Sequence, residues 1–305
     1  MRSLKRWFVI AIVVAGCGRF RFDERGNAAG VVDAPSADAC SRGAWRPPRN
    51  LSELNTTGDE FGGWVSEDGL EIWFSIKPTS GQSIFRARRT STTVPFGTPT
   101  RIDFGLSGIA DDPFQSDDGL TLYFEAAPLG SVTDFDFYVA TRATTSVEFT
   151  VSRTLDEINS AVQDTASAVT SDQRTIIFSS VRAGGLGQTD LWQATRSSTA
   201  DRFSAPQLIA ELATTGFDCC PSPSSDGSSL LYISTALSPS NMRLLISQRS
   251  GNVYQPPVLF DPIFNSTANE SDPTLTRNGA YIVFSSDRPG GTGGWDLYMA
   301  ERPCL

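Results

Sequence analysis

Asn278-Gly-Ala-Tyr-Ile-Val-Phe284 joins a tight-turn signal to an apolar strand, and the chain carries this unit five times. The other copies are Asp68-Gly69 before Glu71-Ile-Trp-Phe74, Asp118-Gly119 before Thr121-Leu-Tyr-Phe124, Asp172-Gln173 before Thr175-Ile-Ile-Phe178, and Asp226-Gly227 before Ser229-Leu-Leu-Tyr232. Asp-Gly and Asn-Gly supply the positive-φ residues of two-residue hairpin turns, so each copy predicts a hairpin. A further apolar strand ends in arginine: Asp136-Phe-Tyr-Val-Ala-Thr-Arg142, Asp190-Leu-Trp-Gln-Ala-Thr-Arg196 and Asp296-Leu-Tyr-Met-Ala-Glu-Arg302, with weaker copies ending at Arg89 and Arg249. These arginines are spaced 53, 54, 53 and 53 residues apart. An aromatic-x-x-Pro element follows in Phe96 with Pro99, Phe203 with Pro206 and Tyr254 with Pro257, while Phe149 has Ser152 in place of the proline. Proline cannot donate to a ladder, so this strand belongs on a sheet edge.

Each unit therefore offers four short strands, labelled a to d from the inside outward. No 3.6-residue period appears after the first residues, and four-strand repeats of this length predict propeller blades. The expected fold is all-β, a five-bladed β-propeller of four-stranded antiparallel blades. The fifth unit supplies only strands a to c. Its missing d strand is the orphan copy Trp45 with Pro48, so the N-terminal strand is expected to complete the last blade and hide its edge. The inward aromatics Phe74, Phe124, Phe178 and Phe284 are expected between blades.

Ser285-Ser-Asp-Arg-Pro-Gly-Gly-Thr-Gly-Gly-Trp-Asp-Leu-Tyr298, with Val181-Arg-Ala-Gly-Gly-Leu-Gly-Gln-Thr-Asp-Leu-Trp192 as a second copy, resembles the PD40 (WD40-like, TolB-type) propeller repeat. The resemblance covers roughly residues 45 to 302. Gln173 in place of glycine, Arg243 in place of the Asp that opens strand c, and Cys219-Cys220 depart from the pattern. The resemblance implies a cell-envelope protein whose propeller docks protein partners at the channel mouth.

The N-terminus reads as an address. Arg2, Lys5 and Arg6 precede the apolar run Trp7 to Ala15, too short to span a bilayer and suited to a signal-peptide core. Val14-Ala15-Gly16-Cys17 resembles a bacterial lipobox, which implies cleavage before Cys17 and lipidation of that cysteine. Several acyl chains hold a protein at a membrane where one would not. Gly18 in place of an aspartate favours an outer-membrane address. Expected organisation is thus 1–16 signal peptide, 17–43 lipidated cysteine and tether, and 44–305 propeller.

Composition removes whole function classes. The formal charge is −9, and more negative without the basic leader, which disfavours nucleic acid as a partner. Histidine is absent, which excludes Ser-His-Asp and Cys-His catalysis and imidazole-ligated zinc. Any chemistry would have to run on carboxylates, arginines, tyrosines or backbone groups.

Five acids stand just before strand a: Glu60, Asp111, Asp164, Asp218 and Glu270. Loops into the innermost strands meet at one channel mouth, so these carboxylates are expected either to form a ring that attracts a cation or basic peptide, or each to fix its own loop by accepting backbone N–H bonds. Asn55-Thr56, Asn159-Ser160 and Asn265-Ser266 precede three of them. Cys219-Cys220 occupies this loop in the fourth unit, where Asp112 and Asp272 stand in theirs; the pair reads as a vicinal disulfide, or as two buried reduced thiols. Cys40 and Cys304 fall at the same place of the c–d hairpin and read as a disulfide across the closure, or as unrelated surface thiols. Asp136, Asp190 and Asp296 and the glycine-rich loops read as structural.

The leading expectation is a monomeric, non-enzymatic envelope lipoprotein acting as a protein-interaction scaffold. The alternative is a glycoside hydrolase or lyase using two carboxylates with separated pKa values. No cofactor is required; Ca²⁺ in an acidic mouth or channel is compatible with oxygen-only ligation.

Overall fold

In the computed structural model, residues 41–77, 83–128, 131 and 134–305 are described. Leader, Cys17 and Cys40 lie outside them. The described residues form five antiparallel sheets, four-stranded but for an extra outer strand in blade 4, and no helix. They are arranged as a five-bladed β-propeller. Blade 1 comprises Asp59–Val65, Glu71–Lys77, Ser83–Arg88 and Thr100–Arg101. Blade 2 comprises Gly108–Gln115, Thr121–Pro128, Asp136–Thr141 and Thr150–Thr154, and blade 3 Asp164–Val169, Thr175–Ser180, Asp190–Thr195 and Gln207–Leu208. Blade 4 has Asp218–Pro223, Ser229–Ser234 and Arg243–Ser250, with Val253–Tyr254 and Val258–Leu259 both on its outer edge. Blade 5 has Glu270–Leu275, Tyr281–Ser286 and Asp296–Glu301, and its fourth strand is Arg49–Asn50, in register with Met299 and Tyr298. The N-terminal strand closes the ring as its residue pattern demands.

The arginine and the strand-d aromatic exist for each other. Arg89 stacks on Phe96, Arg142 on Phe149, Arg196 on Phe203, Arg249 on Tyr254 and, across the closure, Arg302 on Trp45 at 4.7 Å. Such a contact stabilises by about 0.5–2 kcal/mol. In four blades the same guanidinium donates from Nε to a carbonyl of the a–b turn: Gly69, Gly119, Gln173 and Gly279. Each arginine thus ties the inner turn to the outer strand. The proline effect is visible too: where Ser152 replaces proline, strand d runs five residues, against two residues after Pro48, Pro99 and Pro206.

The a–b turns differ from expectation. The aspartates are not left-handed; only the following residue is, with φ from 54° at Gln173 to 70° at Gly69. Gly69 N–H donates to Ser66 O at 2.8 Å, and Asp68 Oδ1 accepts from Leu70 N–H and Ser66 Oγ–H. The aspartate caps a wider turn through its side chain, so a two-residue turn with both residues left-handed is not needed.

Apolar side chains fill the spaces between blades. Trp73, Tyr123, Phe124, Phe137 and Phe178 pack in one cluster across blades 1 to 3. Leu51, Phe74, Val283 and Leu297 join blades 5 and 1, and Ile177, Leu191, Leu230 and Tyr232 join blades 3 and 4. Phe74, Phe124, Phe178 and Phe284 have no exposed surface.

Candidate functional site

Strand a of each blade lines the channel, and each carries a bulge with one left-handed residue: Gly62, Asp112, Ala166, Cys220 and Asp272. Bulges re-aim the inner backbone toward the axis. A Cβ on Gly62 would lie 2.3 Å from Asp112 Oδ1, so neighbouring bulges touch there. This constriction divides the channel into a mouth at the start of the a strands, a throat at the bulges, and a second mouth at the a–b turns.

At the first mouth the acids are braces. Glu60, Asp164, Asp218 and Glu270 are fully buried, and each stands two residues before its bulge. Each accepts the backbone N–H and the hydroxyl of the residue four positions earlier: Thr56, Ser160, Thr214 and Ser266. Asn55, Asn159 and Asn265 clamp both backbone groups of Leu297, Phe137 and Leu244, tying each loop to the preceding blade. Of the two expectations for these acids, the one in which each fixes its own loop describes these four; the open ring does not, since none of them has exposed surface. Asp111 is not their equivalent. Ala110 holds that position, and Asp111 lies one residue nearer its bulge, its Oδ1 accepting Asp112 N–H at 2.9 Å.

The four braces share one position but not one environment. Asp164 pairs with Arg182, and Glu270 pairs with Arg288 at 3.0 Å and Arg243 at 3.1 Å. The Arg243 departure thus serves the next blade's acid. No guanidinium reaches Glu60 among the described residues: burial, with Asp296 and Asp59 nearby, pushes its carboxyl up to about 7, and Oε2 has no partner. Burial likewise raises Asp218, whose carboxylate takes Ser234 Oγ–H.

The throat collects a second acid group. Asp111, Asp112 and Glu125 place carboxylate oxygens within 4.8 Å of one another. Asp111 and Glu125 are direct cross-strand partners, both buried. Burial and then Asp111 hold the Asp112 and Glu125 carboxyls well above the usual range. Cys219 and Cys220 are unbridged thiols, contrary to a vicinal disulfide. Cys220 takes the left-handed bulge position, where its thiol binds Asp272 and is pushed up by burial. Beside them lies a cavity of about 30 Å³, bordered by Asp112, Ser167, Cys220 and Asp272.

The second mouth holds a cavity of about 280 Å³ with Trp64 and Phe114 in its wall. Arg277 of blade 5 crosses it. Its guanidinium donates to Val169 O at 2.6 Å, Pro223 O at 3.1 Å and Asp117 Oδ1 at 3.0 Å, reaching blades 3, 4 and 2. Glu67 of blade 1 accepts Arg277 N–H and Asn278 N–H on its two oxygens. Asp68 and Asp118 are committed to their own turns. Sequence reasoning missed Arg277, Glu125 and Ser167; no repeat position marks them.

Cys304 forms an antiparallel bridge with Arg42, two residues after Cys40. Asp190 and Asp296 accept N–H groups of their glycine-rich loops, as expected.

No protein-family model matches this chain, and no curated protein matches it in sequence. Solved structures share its fold. The catalytic domain of the GH62 α-L-arabinofuranosidase of Coprinopsis cinerea is 12% identical, with a TM-score of 0.58 over 87% of this chain and 98% of that one. A TolB-type protein from Agrobacterium tumefaciens is 16% identical, with a TM-score of 0.51 over 80% of this chain and 79% of that one. TolB from Acinetobacter baumannii is 19% identical, TM-score 0.49, over 81% of this chain, which spans 55% of its length. At these identities the likeness is one of fold, shared by hydrolases and TolB-type proteins alike.

Proposed function

We propose that this chain is a cell-envelope lipoprotein whose propeller is a non-enzymatic recognition scaffold, docking a protein partner over the mouth formed by the a–b turns. The observation that supports this most is the commitment of the acids. A glycosidase needs two carboxylates about 5–9.5 Å apart flanking a substrate-sized cleft. Here Asp111 and Glu125 are buried and only Asp112 of the close carboxylates borders the cavity of about 30 Å³, roughly one water, while the 280 Å³ cavity is bordered by acids already held in turns or paired with Arg277. That larger cavity, with its aromatic wall, suits an anchoring side chain of a partner. The sequence adds the anchor: a 1–16 leader, lipidation at Cys17, a tether to about residue 43, an outer-membrane address, and a Cys40–Cys304 disulfide fastening the closure.

A photo-crosslinking residue in place of exposed Thr145, on the rim of the larger cavity, should capture one partner in intact envelopes; the same residue at exposed Leu186 should not. A panel of aryl glycosides, arabinofuranosides included, should show no turnover above background. Turnover abolished by Glu125→Gln would establish the hydrolase reading instead. Metabolic labelling with an alkyne fatty acid should mark the chain and lose the mark in Cys17→Ala.

A further inference from the structure

The two seams that flank blade 5 are built from the same parts and differ in charge. Between blades 4 and 5, Asn265 clamps both backbone groups of Leu244, and Ser266 donates its N–H and hydroxyl to Glu270. Arg288 and Arg243 then reach one oxygen each of that carboxylate. Between blades 5 and 1, Asn55 clamps Leu297 in the same way, and Thr56 donates its N–H and hydroxyl to Glu60. Glu60 N–H bonds Trp295 O at 2.9 Å, and Trp295 N–H bonds Asp59 Oδ1 at 3.1 Å. Here the arginine is missing. Eighteen residues after Glu60 stands Pro78, where Glu270 has Arg288.

The charges nearest Glu60 are carboxylates. Asp59 precedes it on strand a, and Asp296, 1% exposed, opens the facing strand c of blade 5. Lys77, on strand b of the same blade, lies opposite Asp59 and is exposed. The preceding loop carries Glu53, which is held by Arg49, and Arg288 in the b–c loop of blade 5 is turned to Glu270. Glu60 Oε2 is shut off from solvent and has no partner. Burial, opposed by the Thr56 bonds and then joined by Asp296 and Asp59, raises this carboxyl to about 7. A buried charge without partners is costly. Once ionised, Oε2 finds donors only in water, and water enters only if the loop over it moves.

We infer that the seam between blades 5 and 1 is a pH-operated latch: the loop 55–59 stays docked on blade 5 while the Glu60 carboxyl holds its proton, and lifts when the proton leaves. Lifting hydrates Oε2 and breaks the Thr56, Trp295 and Leu297 bonds together. The first mouth thus loosens on one side as pH rises through about 7. The ring itself stays shut, because Arg49–Asn50 and the stack of Arg302 on Trp45 hold the outer edge of blade 5. The latch lies at the mouth opposite the a–b turns, so it operates whatever docks over them.

The test is hydrogen exchange of the full chain, corrected for intrinsic rates. A carboxyl that moves from about 7 to its ordinary 4.5 on opening requires the Thr56, Glu60, Trp295 and Leu297 amides to lose about 25-fold in protection between about pH 5.5 and about pH 8. The Leu244, Ser266 and Glu270 amides of the other seam should change by less than about twofold, since local opening is set by each unit's own bonds. Glu60→Gln should keep the first set protected at both pH values. Equal protection at both pH values in the wild type overturns the latch. So does a loss shared equally by the two seams, or one that survives in folded Glu60→Gln. If that variant does not fold, the wild-type comparison of the two seams decides alone.

Discussion

Blades 3 and 5 and blade 1 put the same kind of acid at the same point of strand a, yet among the described residues only the first two supply an arginine. Asp164 and Glu270 hold their loops as ion pairs with Arg182 and Arg288, each arginine eighteen residues on. Glu60 makes the same bonds to Thr56 but keeps one oxygen buried and unpartnered, and its carboxyl rises to about 7. The repeat conserves the brace while each blade settles the charge separately. One position can therefore be ion-paired scaffolding in some blades and a carboxyl with a raised pKa in another.

Breaking an ion pair should have the largest effect. Arg182→Ala leaves Asp164 buried with only Ser160 as donor and removes the bond to Ile158 O. Orphaning a buried charge costs about 3–5 kcal/mol, so urea unfolding should show a loss of that order. A loss under about 1 kcal/mol would mean that the brace does not depend on the arginine.

Glu60 gives the next effect, with the opposite dependence on pH. Its folded carboxyl titrates near 7 and its ordinary value is 4.5, so its favourable contribution is complete below 4.5 and disappears as pH rises through 7. At about 1.4 kcal/mol per pKa unit, up to about 3 kcal/mol of stability should be lost across that window. Glu60→Gln should flatten the stability–pH curve between 4.5 and 7 and match or exceed the wild type at pH 8. An unaltered curve would remove Glu60 from the account.

Blade 4 allows the comparison to be sharpened by addition. Ala236 is exposed, stands eighteen residues after Asp218, and donates its N–H to Ser234 Oγ as Arg182 and Arg288 do to Ser180 and Ser286. Ala236→Arg should bring a guanidinium to Asp218, lower its raised carboxyl and add about 1 kcal/mol, within the range of charge-assisted bonds. A thermal shift of zero or below would show that position alone does not make the pair. The smallest effect is at Gln173, left-handed with φ 54°. Gln173→Gly relieves that strain by about 0.5–1 kcal/mol but forfeits the Tyr123 hydroxyl bond, leaving a Tm gain of a few degrees at most.

Much of the ring was legible because its period is carried by side chains that must meet. The arginine-to-aromatic spacing encodes the stack between strands c and d, and the orphan Trp45 encodes the closure. The eighteen-residue step from acid to arginine was equally open to reading and went unread. What the residues hid is register. Whether Asp111 or Ala110 matches Glu60 depends on where the bulge falls, and loop lengths between blades vary. The opposition of Asp111 and Glu125 follows from that register within blade 2, and the reach of Arg277 to three other blades exists only once the ring is closed.

The most direct test is a ¹³C carboxyl titration of Glu60 by NMR on the folded chain. The expected midpoint is near 7, because among the described residues no cation joins the Thr56 bonds in offsetting the cost of burying that charge. A midpoint at or below the ordinary 4.5 would contradict it, by showing that blade 1 supplies its acid with a cation after all.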